Sequence, residues 1–279
     1  MYRLGYIPIR DRVELNDATY EVIGLLGRGG FGTVSHVRRT LPSGKIQELA
    51  LKEEKHSKGV HELEMLLPLQ DHPFIVRLYG FRPIEDNYLL GLEFAGLGDL
   101  RSFTKDRTYL TKEKARLFYS QILQGLHYMH QARIAHADIK PMNILVMGYS
   151  HIRITDFGHS EIMDSNNMCR NCGTASYKAP EHINKSYPMN GVMQDLWGAA
   201  VVYIYMVIGT SPWELASYND AHYYWFREGQ IFLSNNTWSR FKDKDEISHL
   251  QNLLYHFPLK RLIPAGYSNH QRDSFQHLS

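Results

Sequence analysis

His136-Ala137-Asp138-Ile139-Lys140-Pro141-Met142-Asn143 runs directly into the strand-like Ile144-Leu145-Val146. A carboxylate, an ammonium and an amide therefore share one short loop. That set suits phosphoryl transfer: Asp138 would take or orient a hydroxyl proton, Lys140 would neutralise the moving phosphate, and Asn143 would hold a metal. A little downstream, Ile154-Thr155-Asp156-Phe157-Gly158 reads as a strand delivering Asp156 as a hard oxygen ligand for Mg²⁺.

Toward the N-terminus, Gly27-Arg28-Gly29-Gly30-Phe31-Gly32-Thr33-Val34 lies between two strand-like runs. Glycines such as Gly27, Gly29 and Gly32 let a backbone pass close over phosphate oxygens, where a Cβ would collide. Alone, the loop is as readily a structural turn. A Rossmann site would need a helix after the glycines and a P-loop would end in Gly-Lys-Ser/Thr; neither pattern is present. Next comes Leu49-Ala50-Leu51-Lys52, whose lysine would be an ordinary strand residue if it stood alone. Paired with the loop, it suits α- and β-phosphates and requires an anionic partner. The following helix offers Glu62 and Glu64. Glu62 shares a helical face with Leu66 and Leu69, so packing those leucines inward aims Glu62 inward too, and Glu64 is left to solvent.

The chain has 279 residues, enough for one large domain or two modest lobes. Lys and Arg total 31 against 29 Asp and Glu, a net +2 that gives no electrostatic case for bulk nucleic-acid or membrane binding. Two cysteines, Cys169 and Cys172, cannot staple a chain of this size, which argues for a reducing compartment. They form a C-x-x-C, read as two unrelated thiols in a loop in preference to a redox switch, because no second pair supports zinc and no thioredoxin-like unit surrounds them. Met1 to Arg12 holds no apolar signal core. The longest uncharged apolar stretch, Leu196–Ile208, falls short of the about 20 residues that span a bilayer and is expected to be a buried helix. The expected location is nucleus or cytoplasm, neither secreted nor membrane-spanning.

Texture changes along the chain. Tyr20–Leu26, Thr33–Arg39, Glu48–Glu53, Val76–Phe81 and Tyr88–Glu93 are short β-type runs, with Pro42-Ser43-Gly44 as a hairpin turn. One helical stretch, Ser57 to Leu69, interrupts them. After Gly98 the pattern becomes helical: Thr111 is a good N-cap, and Ala115, Phe118, Ile122, Leu126 and Met129 follow at helical spacing. His72, His127 and His130 read as packed or solvated residues, and Met189, Met193 and Met206 as core.

In order and separation these elements resemble the eukaryotic protein kinases over Tyr20 to Ile263: glycine loop, strand Lys52, helix Glu62, His136-x-Asp138, Asp156-Phe157-Gly158 and Ala179-Pro180-Glu181. The resemblance implies an α+β, bilobal protein kinase fold. A β-rich N-lobe with one main helix (18–94) would follow an N-terminal extension (1–17) and precede a larger α-helical C-lobe (95–279). ATP and Mg²⁺ are implied, with Asn143 and Asp156 on the metal and Lys52 with Glu62 on the phosphates. Val34, Ala50 and Leu145 would sandwich adenine, Leu92 would be the gatekeeper, and Glu93, Phe94 and Ala95 the hinge whose backbone meets adenine. Asp99 would pair with a substrate guanidinium or with ribose. Asp195 would anchor the catalytic loop, Arg261 would partner Glu181, and Leu66, Leu78, His136 and Phe157 would form a regulatory stack.

Lys140 and Gly173-Thr174-x-x-Tyr177-x-Ala179-Pro180-Glu181 resemble serine/threonine kinases, with Thr174 a hydrogen-bonding residue near Asp138 and Lys140. Within that group the sequence is similar to the DNA-damage checkpoint kinase 1 family. Leu92-Glu93-Phe94, Asn171-Cys172-Gly173-Thr174, Ser211-Pro212-Trp213, Tyr224-Trp225 and Asn236-Thr237-Trp238 carry that likeness. It implies a monomeric kinase of protein hydroxyls in checkpoint or cell-cycle signalling, with protein substrates and regulatory proteins as partners and no nucleic acid or membrane. Four residues depart from the family pattern. Ala137 replaces the Arg before the catalytic Asp, so activity is expected to be largely independent of phosphate on the activation segment. Met142 replaces a Glu that helps read substrate arginines, Lys178 replaces an apolar pocket residue, and Ala200 replaces a glycine. A pseudokinase scaffold is the rival from another class; retention of Lys52, Asp138, Asn143 and Asp156 argues against it. The segment from Thr174 to Glu181 argues against a small-molecule kinase.

Overall fold

Strand runs broken by tight turns build the first part of the chain. The computed structural model describes residues 12–30, 32–105, 109–166, 173–184, 190–233 and 237–263. The chain divides into two compact units, the smaller holding residues up to 70 together with 76–95, the larger holding 71–75 and everything from 96 onward.

In the smaller unit, β1 (Arg12–Leu15), β2 (Ala18–Gly29), β3 (Gly32–Thr40), β4 (Ile46–Lys55), β5 (Leu78–Ile84) and β6 (Asn87–Glu93) form one antiparallel sheet in the order β1-β2-β3-β4-β6-β5. Alternation sends Leu15, Tyr20, Val37, Leu49, Leu51 and Leu89 into a common core. Asn16 and Asp17, at φ 48° and 57°, make the two-residue turn that joins β1 to β2. The sheet curls: Asn16 donates from Nδ2 to the Tyr79 carbonyl at 3.1 Å, so the β1–β2 turn reaches β5. The Pro42-Ser43-Gly44 turn is present, with Gly44 N–H donating to the Leu41 carbonyl at 2.8 Å. Helix α1 (His56–Leu66) packs on β6 and ends earlier than the helical pattern predicts. Pro68 lacks an N–H to continue an α-helix, and Leu67–Leu69 tightens into a 3-10 turn that still buries Leu69.

Three boundaries differ from those read in the sequence. The stretch set aside as an extension, 1–17, supplies β1, which pairs with β2 from Arg12 opposite Glu21 to Leu15 opposite Ala18. Ala95 falls with the smaller unit. Residues 71–75 belong to the larger one, because Ile154 N–H donates to the Phe74 carbonyl at 2.8 Å and Arg153 Nη1 to the Pro73 and Ile75 carbonyls at 2.5 and 3.1 Å.

The larger unit contains α2 (Leu100–Lys105), α3 (Lys112–Gln131), β7 (Ile134–Ala135), β8 (Ile144–Gly148), β9 (His151–Ile154), β10 (Glu161–Ile162), α4 (Pro180–Asn184), α5 (Gly191–Ile208), α6 (Ala221–Arg227) and α7 (Lys244–Leu253). Strand β8 pairs with β9, and β7 with β10, both antiparallel. Thr111 caps α3 as expected, its hydroxyl accepting from Lys114 N–H at 3.3 Å. Helix α5 starts at Gly191, ahead of the apolar run, because Asn190 caps it by accepting from Met193 N–H at 3.0 Å. By length and composition α5 could cross a membrane, but 94% of it is buried inside the protein, so it is the core helix of this unit, packed on α3. Met193 and Met206 are buried there; Met189 lies outside the described residues.

Candidate active site

In the smaller unit β4 delivers Lys52 and α1 delivers Glu62, and both side chains are buried. Lys52 Nζ donates to Glu62 Oε2. Glu64 is exposed, as the helical face required. A second carboxylate, missed in the sequence, also lies close: Glu54 Oε1 is 3.8 Å from Lys52 Nζ and equally buried. Its signal was available, since residues i and i+2 on a strand share a face. Ala50 stands opposite Leu92 in the β4–β6 register, and Val34 opposite Lys52 in the β3–β4 register, which gathers four expected nucleotide-site residues around one stretch of sheet. Glu93 N–H donates to the Arg77 carbonyl at 2.8 Å, and His36 stacks flat on Phe94, with ring centroids 4.0 Å apart.

The glycines divide by reason. A Cβ on Gly27, Gly29 or Gly30 would meet no protein atom within 4 Å, so packing inside the protein does not require glycine at these three positions. Gly32 is glycine for its own backbone: φ is +112°, and a Cβ there would collide with the Glu53 carbonyl.

In the larger unit the catalytic-loop candidates hang from one buried carboxylate. Asp195 Oδ2 accepts from His136 N–H and Oδ1 from Ala137 N–H, both at 2.8 Å. His130 Nε2 adds a third bond to Oδ2 at 2.8 Å, a role that periodicity alone did not reveal. Ala137 is held at φ 64°, left-handed for a non-glycine residue, with its carbonyl accepting from Gly173 N–H at 2.8 Å. His136 donates from Nε2 to the Thr155 carbonyl at 3.0 Å, and its ring lies 5.3 Å from that of Phe157. Leu66 and Leu78, the other two members expected in the stack, belong to the smaller unit.

Asp138 is buried and held on both oxygens. Oδ1 accepts from Thr174 N–H at 2.8 Å and from Thr174 Oγ1 at 2.9 Å. Oδ2 accepts from Lys140 Nζ at 2.5 Å and Asn143 Nδ2 at 3.3 Å. Lys140 also donates to Thr174 Oγ1 at 3.0 Å. Gly173 permits this approach, because a Cβ there would strike the Asp138 carboxylate.

Ordered on one loop, an aspartate, a lysine and an asparagine of this geometry invite comparison with known proteins. The sequence model of the protein kinase domain matches residues 20–271. The chain belongs to the protein kinase family. Its fold is the α+β protein kinase fold, and protein kinases use ATP as substrate with Mg²⁺ as cofactor. Among relatives of this kinase domain, the SNF1-like protein kinase ssp2 of Schizosaccharomyces pombe is 32% identical over 70% of the chain and 34% of its own length. The human NUAK family SNF1-like kinase 2 is 31% identical over 70% of the chain and 32% of its length. The serine/threonine-protein kinase grp of Drosophila melanogaster is 30% identical over 90% of the chain and 50% of its length. The chain thus spans about a third to a half of the relatives it matches.

The kinase's donor set fits Mg²⁺. Asn143 spends its amide nitrogen on the Asp138 carbonyl at 2.9 Å, which leaves its oxygen as the atom able to bind a hard cation. Asp156 follows β9 by one residue, Thr155, and is held at φ 67°. Among the described residues no group of three or more His, Cys, Asp and Glu could hold a metal by itself.

Other kinase positions turn out differently. Asp99 Oδ1 accepts from Ser102 N–H at 2.7 Å, so one carboxylate oxygen caps α2, a use that Asp-x-x-Ser before a helix signals. The Asp99 backbone also bridges to Leu145. Met142 is exposed, with Arg101 Nη1 donating to its sulfur at 3.5 Å. Ala200 is buried within α5, where no left-handed backbone demands glycine. Glu181 and Arg261 form a buried bidentate pair at 2.5 and 2.6 Å. Beside them burial pulls the His182 imidazole down to about 4, opposed by the Glu181 charge, so the ring is neutral at pH 7. Cys169 and Cys172 lie outside the described residues.

Proposed function

We propose that this chain transfers the γ-phosphoryl group of ATP to serine and threonine hydroxyls of proteins. The observation that carries the reading is Asp138, pinned by Thr174, Lys140 and Asn143 on a loop suspended from Asp195. In this reading Asp138 accepts or orients the acceptor hydroxyl's proton and Lys140 neutralises charge on the phosphoryl group in flight. Asn143 and Asp156 hold Mg²⁺, which when bound neutralises phosphate charge. Lys52, set by Glu62, takes the α- and β-phosphates, and Gly27 and Gly29 leave room for them. In the smaller unit this reading gives Val34, Ala50, Leu92, Glu93 and Ala95 to adenine.

Checkpoint or cell-cycle signalling is the finer reading. It is supported by the sequence segments from Leu92-Glu93-Phe94 to Asn236-Thr237-Trp238, whereas the ssp2 and NUAK relatives carry SNF1-like names. The scaffold alternative has nothing in its favour beyond Ala137 and Ala200.

The test is transfer of labelled phosphate from Mg-ATP to a broad protein panel by wild type, Asp138→Asn and Asp156→Asn. Wild type should transfer, and each variant should lose at least a thousandfold, about 4 kcal/mol of transition-state stabilisation. Equal rates for wild type and a variant remove that residue from the mechanism; no transfer by wild type favours the scaffold.

A further inference from the structure

The larger unit carries two cations on elements that adjoin the loop of Asp138, and the carboxylates of those elements already have partners. Arg101, on α2, is exposed. Its guanidinium contacts Met142, which lies between Lys140 and Asn143 in the loop of Asp138. A thioether is a weak acceptor and cancels no charge. Tyr177 is within the electrostatic reach of the same group: burial pushes its phenol up, and the Arg101 charge works against that shift.

Lys178 comes next in the chain, half-buried, in a segment clamped at both sides by Gln194. Gln194 Nε2 donates to the Tyr177 carbonyl, and Ala179 N–H donates to Gln194 Oε1, both at 3.0 Å. That segment is tied to Asp138 through Thr174. Neither Arg101 nor Lys178 has an ion-pair partner among the described residues. Of the carboxylates in these elements, Asp99 gives Oδ1 to the cap of α2, Glu181 is locked to Arg261, and Asp138 is taken by its own donors.

A peptide lying beside Asp138 therefore runs past two elements, α2 and the segment after Thr174, that each carry a cation with no ion-pair partner among the described residues. We infer that the kinase selects acceptor hydroxyls flanked by anionic side chains, with Arg101 and Lys178 reading carboxylates or phosphates of the substrate. The inference rests on the transferase reading and deepens it. Charge-assisted hydrogen bonds to a guanidinium favour either anion and disfavour an arginine in the same place.

The experiment uses the whole chain with Mg-ATP and a set of serine peptides in which each flanking position in turn is Asp, phosphoserine, Ala or Arg. At one or more positions, kcat/KM for the anionic peptide should exceed that for the arginine peptide at least tenfold. Arg101→Glu and Lys178→Glu should each invert or flatten that ratio, whatever happens to absolute rates. A larger gain from phosphoserine assigns the site to primed substrates, and an equal gain from Asp assigns it to acidic ones; both support the proposal. Indifference to charge, or arginine preference, overturns it and leaves the transferase reading intact. Binding of the labelled peptides to Asp138→Asn, followed by fluorescence anisotropy, separates the two failures. Selective binding of anionic peptides without wild-type transfer sinks the transferase reading alone, and unselective binding without transfer sinks both.

Discussion

Lys52 and Asp138 are both buried charges, one in each unit, and they are held in opposite ways. Lys52 meets carboxylates: Glu62 in contact and Glu54 at 3.8 Å. Asp138 meets a graded set of donors, a backbone N–H, a hydroxyl, an amide and one ammonium, and its loop is hung in turn from Asp195. An ion pair in a low-dielectric interior concentrates its energy in one contact, so removing one partner strands the other. A hydrogen-bonded network spreads the same task, so its outer members can be lost cheaply and its trunk cannot.

The trunk gives the largest effect. Asp195→Ala leaves two buried amides and the His130 ring without their acceptor, and should cost about 4 kcal/mol in stability together with all measurable transfer. A shift of the urea midpoint, read alongside the transfer rate, tests this. A variant that keeps both would show that the loop does not depend on Asp195.

The single bridge should rank second. Glu62→Gln keeps shape but removes the charge that holds Lys52, and transfer should fall about a hundredfold, near 2.7 kcal/mol. Denaturation should move less than this, because Glu54 remains within reach of the stranded ammonium. If Glu54→Gln proves as damaging as Glu62→Gln, the pair must be rewritten as a triad.

Thr174→Ala probes redundancy directly. The backbone N–H of residue 174 still donates to Asp138, and Lys140 and Asn143 still hold the other oxygen. A loss of about tenfold in kcat, near 1.4 kcal/mol, is expected, with rescue by Thr174→Ser. A thousandfold loss would contradict the picture of shared load.

Phosphatase treatment should have the smallest effect. Ala137 offers no cation to an activation-segment phosphate, and the segment is already tied to the loop through Gly173 and Thr174. Initial rates before and after dephosphorylation, confirmed by mass spectrometry, should agree within about threefold, less than 1 kcal/mol. A tenfold fall traced to a site between Asp156 and Glu181 would show that another cation has taken the role of the missing arginine.

Much of this was determined by the sequence alone, because the deciding signals are local. The His136–Asn143 loop, the Asp156 strand end and the glycine hairpin are short stretches whose residue types and order carry the family likeness. The choice of Glu62 over Glu64 needed only the helical repeat. Even the capping use of Asp99 and the nearness of Glu54 to Lys52 were legible, since both follow from spacings of two or three residues. Other features were decided only by tertiary structure. His130 and Asp195 lie 65 residues apart in sequence, and Arg101 and Met142 lie 41 apart. No periodicity links such positions: packing of α3 against α5 brings the histidine to the aspartate, and the placement of α2 near the catalytic loop brings the guanidinium to the thioether. The reassignment of residues 71–75 has the same cause, for it is hydrogen bonding to β9, a strand far along the chain, that draws this loop into the larger unit.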